Sequence, residues 1–297
     1  MDVMTKNNGF TTSSEWKQKG DLIQVYNRKI FTIDTGGDHE NCLIILHGFL
    51  TSSYDYNKIL PELSKHYRVI IQDFIGFGFS DKLENKYLTI IDQTDYLLQL
   101  WKILDLKNIT ILAHDYGALV AKELLARQNS YITHLDIDKI IFCNGSMPLD
   151  QSYFLDTNDN YKNEVSKNMV TMLNSFGVYK KSMRKVFYNE SLISDDELKV
   201  LWKLLEHNNG RDIINFTSNY IRERKIFWNR WVNALNETQI PVKLILSKKD
   251  NDTLEEDNIV KLITDKLTNN KTFWIEKSGH YPMLESPKRL IECILSN

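Results

Sequence analysis

The sequence predicts an α/β fold, in which helices cover both faces of a mostly parallel central sheet and a helical segment is inserted. Short, continuous apolar runs alternate with segments of helical periodicity, a pattern typical of parallel strands buried on both faces. The alternation stops near residue 147 and resumes near residue 234. The chain has 297 residues, 42% hydrophobic and 26% charged, which fits one large domain or two small ones and excludes a disordered chain, a collagen-like fibre and a coiled coil.

The first half of the chain is expected to supply a sheet edge and four buried strands. The first 20 residues are polar and are expected to be irregular. Alternation over residues 22–34 predicts two strands at an edge of the sheet. Apolar runs predict the buried strands at 43–46, 68–73, 109–112 and 139–143. Helical spacing of apolar residues predicts helices at 55–66, 89–106 and 118–127.

The second half is expected to divide into a cap and the remainder of the core. Residues 147–233 show helical patterns without a strand pattern, which predicts a helical cap. The core then comprises residues 1–146 and 234–297, and the active site is expected between core and cap. The remaining elements are predicted as strands at 242–246 and 272–275, a helix at 254–267 and a last helix after Ser286.

Charge, cysteine content and hydropathy limit the binding partners and the cellular location that we expect. Lys and Arg number 37 against 39 Asp and Glu, a net charge of −2 that indicates no general role in nucleic-acid binding. Cys42, Cys143 and Cys293 are far apart in the sequence and are expected to be buried, reduced thiols. We find no signal-peptide pattern and no apolar stretch near ~18 residues, so we expect no membrane span and a cytoplasmic location. The oligomeric state stays open.

A candidate nucleophile lies where a buried strand gives way to a helix, in Ile111-Leu-Ala-His-Asp-Tyr-Gly-Ala118. The small residues Ala113 and Gly117 stand two positions on either side of Asp115, which is the spacing of a nucleophile elbow. Bulky residues at these positions would clash with the strained turn. The usual elbow holds Ser, so Asp115 has two interpretations: a nucleophile, or a cap of the following helix.

A second motif, His47-Gly48-Phe49, ends an earlier buried strand. Such a turn can offer the backbone N–H of Phe49 to an oxyanion, paired with the N–H of Tyr116. His47 is expected to orient the loop rather than to take part in the chemistry.

An acid and a base follow the last two predicted strands. Asp250 comes after strand 242–246, and His280 comes after strand 272–275 in Lys277-Ser-Gly-His-Tyr-Pro282. The chain order is nucleophile, acid and base, with Asp115 first. This is the order of the triad in the α/β-hydrolase fold.

With these residues in place, the chain resembles α/β-hydrolases of the epoxide hydrolase and haloalkane dehalogenase group, which use Asp as the nucleophile. It is most similar to the mesoderm-specific transcript protein family. The resemblance covers nearly the whole chain after about residue 20. It rests on the runs HGFLTSSYDYNKI (47–59), DFIGFGFSDK (73–82), HDYGALVAKELL (114–125), RERKIFWNRWVNAL (222–235) and GHYPMLESP (279–287). The family usually has Pro after His-Gly-Phe, whereas this sequence has Leu50.

An Asp nucleophile changes the chemistry that the triad can perform. A carboxylate that attacked an acyl group would give an unstable anhydride, whereas attack on an alkyl carbon gives an alkyl ester. His280 would then activate a water that attacks the carbonyl of Asp115, and Asp250 would hold the imidazole in the required tautomer. This mechanism fits the cleavage of epoxides and of carbon–halogen bonds and makes an ordinary esterase less favoured.

The groups that would stabilise the leaving atom favour an epoxide. Dehalogenases of this group usually have Asn after His-Gly and Trp after the nucleophile, where this sequence has Phe49 and Tyr116. Epoxide hydrolases instead use cap tyrosines to protonate the opening oxide, and the resemblance implies that Tyr220 is one of them. The second is open between Tyr188 and Tyr153.

The leading hypothesis is therefore epoxide hydrolysis of a small apolar substrate. The alternatives are a haloalkane dehalogenase, an esterase-type hydrolase, and a non-enzymatic binding protein on a hydrolase scaffold. No cofactor or metal is expected, because Gly76-Phe-Gly78 lacks the third Gly of a dinucleotide loop and the acidic run at 250–257 lacks the central Gly of a calcium loop.

Overall fold

The apolar runs of the sequence form strands of a single sheet. The protein is described by a computed structural model that covers residues 10–83, 87–144, 171–212, 219–250 and 270–296. In these ranges the strands are β1 (Asp21–Val25), β2 (Arg28–Asp34), β3 (Cys42–Leu46), β4 (Arg68–Gln72), β5 (Ile109–His114), β6 (Ile137–Cys143), β7 (Val242–Ser247) and β8 (Asn270–Ile275).

The sheet has the order β1-β2-β4-β3-β5-β6-β7-β8. β1 pairs with β2, and β2 with β4, in antiparallel register, which confirms the predicted two-stranded edge. All pairs from β4 to β8 are parallel. β3, β5 and β7 are buried along their whole length, which explains why their sequences are continuously apolar rather than alternating. The carboxyl ends of the parallel strands meet at one edge of the sheet, and the loops that follow them carry the candidate site.

Some of the described helices pack against this sheet, and others lie in the segment between β6 and β7. They are α1 (Ser13–Lys17), α2 (Leu60–Leu63), α3 (Ile90–Ile103), α4 (Tyr116–Asn129), α5 (Phe176–Lys185), α6 (Asp195–Glu206), α7 (Tyr220–Ile226), α8 (Trp228–Glu237), α9 (Pro282–Glu285) and α10 (Pro287–Leu295). Capping boxes at Thr89 and Ser194 define the first turns of α3 and α6. No helix in the described ranges combines the length and the apolar character needed to cross a bilayer.

Two local predictions are wrong. The helix expected at 55–66 is a 3₁₀ turn (Ser53–Tyr56) followed by the single turn α2. Ser52 accepts a hydrogen bond from the N–H of Tyr54, and the Asn57 amide donates to the Tyr54 carbonyl, so local side-chain bonds replace the helical ladder. The N-terminal residues, expected to be irregular, contain α1, which buries Trp16 and directs its indole N–H to Ser53 Oγ at 3.0 Å. A helix of one turn is too short to produce a clear period in the sequence.

The segment between β6 and β7 contains helices α5 to α8 and no strand in its described residues. This agrees with the helical character expected of the cap. The boundaries at 147 and 233 stay predictions, because residue 147 lies outside the described residues and α8 runs through residue 233. The helix predicted at 254–267 also lies outside the described residues.

The three cysteines are buried and unpaired, as expected. Burial raises the pKa of the Cys42 thiol to about 12 and raises that of Cys143 further. Both thiols are therefore protonated at neutral pH, and they fill the core as small apolar side chains.

A buried carboxylate joins α4 to α8. Glu123, which is 1% exposed, accepts hydrogen bonds from Arg230 Nε at 2.8 Å, Trp231 Nε1 at 3.0 Å and Arg127 Nε at 2.9 Å. Burial alone would raise the pKa of Glu123, but these donors hold it below its ordinary value. These hydrogen bonds connect α4, the helix that follows Asp115, to α8, the helix that precedes β7.

Removal of this carboxylate should destabilise the fold. Glu123→Ala removes the shared acceptor of Arg127 Nε, Arg230 and the buried Trp231 indole N–H, so we expect the free energy of unfolding to fall by about 3 kcal/mol in urea denaturation. The control is Glu292→Ala, which removes an exposed partner of Arg289 and should cost less than about 1 kcal/mol. Equal, small losses in the two variants would contradict the role of the Glu123 network.

Candidate active site

Asp115 lies in a strained turn between β5 and α4. Its φ of 49° and ψ of −110° fall in a region that residues with a Cβ rarely adopt. Its side chain caps none of the N–H groups of α4, so the interpretation of Asp115 as a helix cap is not supported. The turn brings the carboxylate into contact with the loop that follows β3.

The small residues around Asp115 are required by close backbone contacts. A Cβ on Gly117 would lie 2.4 Å from the carbonyl oxygen of Leu46, and a Cβ on Gly48 would lie 2.8 Å from His114 Nδ1. Gly117 also donates its N–H to the carbonyl of His47 at 3.1 Å. The elbow spacing read from the sequence therefore reflects direct contact between the start of α4 and the end of β3.

One oxygen of Asp115 is held by the loop after β3. The backbone N–H of Phe49 donates to Asp115 Oδ2 at 2.8 Å. Among the described residues, no group donates to the other oxygen, Oδ1. Tyr116, the second predicted donor, is the first residue of α4, so its N–H has no acceptor within the helix.

His47 orients this loop, as expected. Its Nε2 accepts the N–H of Phe74 at 3.0 Å, so the ring proton is on Nδ1, which donates to the carbonyl of Gly48 at 2.7 Å. Burial lowers the pKa of His47 to about 4, and the ring is neutral at physiological pH.

The loop differs in shape from one with Pro at position 50. Leu50 has a φ of 64°, whereas a proline ring fixes φ near −65°. Directly after it, Thr51 Oγ1 donates to Asp55 Oδ2 at 2.5 Å. The departure from the family pattern is thus a difference in backbone conformation next to the Phe49 N–H.

The predicted acid and base form a pair. His280 Nδ1 lies 3.0 Å from Asp250 Oδ1, and both side chains are buried, at 7% and 2% exposed. A carboxylate at this distance fixes the proton on Nδ1 and leaves the basic lone pair on Nε2. The rest of the acidic run, at 251–257, lies outside the described residues.

Polar residues at the ends of β5 and β6 hold the backbone at His280. His114 Nε2 donates to the carbonyl of His280 at 2.8 Å. The Asn144 amide donates to the carbonyls of Gly279 at 2.9 Å and His280 at 3.1 Å. Neither residue was predicted from the sequence, although Asn144 is the first polar side chain after an apolar strand at the edge where the site was expected.

The structure brings Tyr220 next to the residues that flank Asp115. Its ring is 8% exposed, and its centroid lies 4.8 Å from that of Phe49 and 5.2 Å from that of Tyr116. Tyr188 is 36% exposed and lies beneath Lys249, whose Nζ is 5.1 Å from the ring centroid. The other predicted tyrosine, Tyr153, lies outside the described residues.

Two buried polar groups were not identified as candidates from the sequence. The hydroxyl of Tyr179 in α5 and Asp55 Oδ1 have no hydrogen-bond partner among the described residues. Burial raises the pKa of Asp55 to about 8, although Thr51 and the charge of His280 act in the opposite direction. Burial, and to a smaller extent the charge of Asp55, raise the pKa of Tyr179.

Comparison with known proteins identifies the family. The sequence model of the alpha/beta hydrolase fold matches residues 41–287. The chain belongs to the alpha/beta hydrolase family. This hydrolase is 32% identical to the human (Homo sapiens) mesoderm-specific transcript homolog protein over 280 residues, which cover 92% of this chain and 83% of that protein.

Two solved structures share the fold of this hydrolase. Epoxide hydrolase CorEH has a TM-score of 0.71 and 16% identity, with 93% of this chain and 96% of that chain covered. Haloalkane dehalogenase DatA from Agrobacterium tumefaciens C58 has a TM-score of 0.71 and 20% identity, with 93% and 94% covered. These likenesses establish the fold, and the reaction has to be argued from the site.

The conformation of Leu50 gives a test of the loop. Leu50→Pro cannot adopt the observed φ, so we expect a loss of stability of more than about 1 kcal/mol and displacement of the Phe49 N–H from Asp115. Leu50→Gly is the control, because glycine adopts a positive φ without strain. The measurement is urea denaturation together with a crystal structure of each variant. An unchanged Phe49–Asp115 distance in Leu50→Pro would show that the backbone at position 50 does not set the position of the Phe49 N–H.

Proposed function

We propose that this hydrolase opens epoxides through a covalent ester of Asp115. The proposal rests on the elbow residue: a carboxylate stands where a serine hydroxyl would stand in an esterase, with one oxygen held by the Phe49 N–H at 2.8 Å. The second oxygen, Oδ1, is the nucleophile. A carboxylate in this position suits displacement at an alkyl carbon.

In the first step, Asp115 Oδ1 attacks a ring carbon of the epoxide. The new C–O bond forms an alkyl ester, the ring C–O bond breaks, and its electron pair goes to the departing oxygen. The phenol of Tyr220 protonates that oxygen. An alkoxide is a far stronger base than a halide ion, so its departure needs a proton donor, and a phenol of pKa near ~10 can supply the proton.

In the second step, His280 Nε2 takes a proton from a water molecule, and the resulting hydroxide attacks Cγ of the ester. The negative charge moves to Oδ2, where the N–H groups of Phe49 and Tyr116 stabilise it. Collapse breaks the bond between Cγ and Oδ1, and the imidazolium returns its proton to the departing alkoxide, which gives a diol. The hydroxide oxygen stays on Cγ, so Asp115 is left as a carboxylic acid, and its proton passes through water to the phenolate of Tyr220 and restores both groups. Asp250 stabilises the imidazolium.

The surroundings of Asp115 support an epoxide over a haloalkane. Phe49 and Tyr116 supply no side-chain amide or indole N–H for a halide, whereas Tyr220 brings a phenol to within ring contact of both. The same three aromatic rings favour a small apolar substrate. We further propose Tyr179, whose buried hydroxyl has no partner among the described residues, as the second phenol. The helical segment 147–233 acts as the cap that carries both tyrosines.

A panel of substrates tests the reaction class. Styrene oxide, 1-bromohexane and p-nitrophenyl butyrate are given to the wild type and to Asp115→Ala. Turnover of the epoxide alone, lost in the variant, supports the proposal. Halide release without epoxide turnover favours a dehalogenase, and ester turnover alone favours an esterase. Binding of styrene oxide without turnover of any compound favours a binding protein.

Removal of the base should trap the intermediate. In His280→Gln, Asp115 still attacks, because that step needs no base, but the ester is not hydrolysed. Intact-protein mass spectrometry should show an added mass equal to the whole epoxide, since ring opening loses no atoms. A haloalkane would instead add its mass less one hydrogen halide, so the same spectrum separates the two chemistries.

The double variant His280→Gln/Asp115→Ala is the control for this adduct and should remain unmodified. An active wild type whose His280→Gln variant carries no adduct would contradict covalent catalysis.

Loss of the proton donor should slow the first step. Tyr220→Phe keeps the ring contacts with Phe49 and Tyr116 and removes only the hydroxyl, so we expect epoxide turnover to fall by roughly 10²-fold. Tyr188→Phe is the matched control on a half-exposed tyrosine and should have little effect. Tyr179→Phe and the double variant Tyr179→Phe/Tyr220→Phe test whether Tyr179 is the second proton donor. Full epoxide activity in Tyr220→Phe would exclude Tyr220 as the acid.

A further inference from the structure

Glu285 holds the backbone on both sides of His280. This buried residue ends α9, and its carboxylate accepts three backbone hydrogen bonds. Oε2 accepts the N–H of Gly279 at 3.0 Å, and Oε1 accepts the N–H of Tyr281 at 3.1 Å. The third donor is the N–H of Tyr188, which lies 2.6 Å from Oε2. Tyr188 belongs to the segment between β6 and β7.

We call residues 186–188 the strap. It packs backbone to backbone on the loop that carries the base: His280 donates its N–H to the carbonyl of Val186 at 2.9 Å. A Cβ on Gly279 would lie 2.4 Å from the same carbonyl oxygen and 2.7 Å from the N of Tyr188. Phe187 stacks on Tyr281 with ring centroids 5.6 Å apart and an angle of 22°. The strap and the base loop therefore form one packed unit.

A carboxylate is suited to this position because ionised acceptors make stronger hydrogen bonds than neutral ones and two oxygens can serve three donors. Burial raises the pKa of Glu285, while the three N–H groups and the charge of His280 oppose that rise. A neutral amide at this position would keep one acceptor oxygen and turn an NH₂ group toward backbone N–H donors. The geometry is therefore sensitive to the change from Glu to Gln although the two side chains have the same size.

We propose that Glu285 is a positioning residue for His280, which fixes the base loop from both sides and fastens it to the strap. Its carboxylate contacts the backbone and not the reacting atoms. Through it, the position of the strap sets the position of the imidazole. The kinetic part of this inference rests on the proposed function, in which His280 acts only after the ester has formed.

A displaced base should slow one half of the reaction. In Glu285→Gln, attack by Asp115 continues and ester hydrolysis slows, so the ester should accumulate during turnover. We expect kcat for styrene oxide to fall roughly 10- to 100-fold, the size of effect that a displaced catalytic group produces. KM should fall with it, because the slow step follows the covalent step. Mass spectrometry of acid-quenched samples measures the fraction of protein that carries the adduct.

Hydrogen–deuterium exchange gives a measurement that does not depend on activity. Exchange at 186–188 and 278–282 should rise in Glu285→Gln and stay at the wild-type level over β5 and α4. Glu292→Gln is the matched control, since it neutralises an exposed glutamate on the neighbouring helix α10. Gly279→Ala is a second variant that forces the strap off the base loop and should show the same two signatures if Glu285→Gln does not fold.

The outcomes separate this inference from the proposed function. Raised exchange with an accumulated ester supports both. Raised exchange without any ester supports the positioning role and counts against covalent catalysis. Wild-type exchange in both Glu285→Gln and Gly279→Ala, or an equal slowing of ester formation and hydrolysis, overturns the inference.

Discussion

The turn at Asp115 is the constraint on which the site depends. A φ of 49° at a residue with a Cβ costs about 1–3 kcal/mol and persists only where the surroundings fix it. β5 supplies this support because it is buried along its length and pairs with β3 and β6. The start of α4 is fixed as well, since Gly117 lies against the backbone of Leu46. Strand pairing and helix packing thus hold the carboxylate against the N–H of Phe49.

The base is fixed by a different set of elements that end at the same sheet edge. His114 closes β5, Asn144 follows β6 and Asp250 follows β7, and each contacts the loop of His280 or its ring. Glu285 also holds that loop, because its carboxylate accepts the N–H groups of Gly279 and Tyr281. Because the strands are parallel and in register, residues far apart in sequence come to one place, and the distances between them are set by the sheet rather than by flexible loops.

The sequence predicted features that depend on local patterns. Continuous apolar runs predicted the strands, and small residues at fixed spacing predicted the elbow at Asp115. The left-handed turn at Leu50 and the role of Glu285 were not predictable, because they depend on contacts between distant segments. One of the three hydrogen bonds that Glu285 accepts comes from residue 188, 97 positions earlier in the chain. The sequence left the second cap tyrosine open between Tyr188 and Tyr153, because the burial of a tyrosine hydroxyl such as that of Tyr179 depends on tertiary contacts.

With Asp rather than Ser at the elbow, the oxyanion donors act at a different stage of the reaction. In a serine enzyme its N–H donors bind charge only when the tetrahedral intermediate forms. Here the N–H of Phe49 already binds the ground-state carboxylate at 2.8 Å, and ester formation removes charge from that oxygen. Only interactions that strengthen toward a transition state accelerate its step. In the proposed mechanism, the Phe49 N–H and His280 therefore accelerate ester hydrolysis, while ester formation depends on proton donation by Tyr220. In this mechanism the two steps thus depend on groups from different parts of the chain: hydrolysis depends on residues of the predicted core, and ester formation depends on a phenol of the predicted cap.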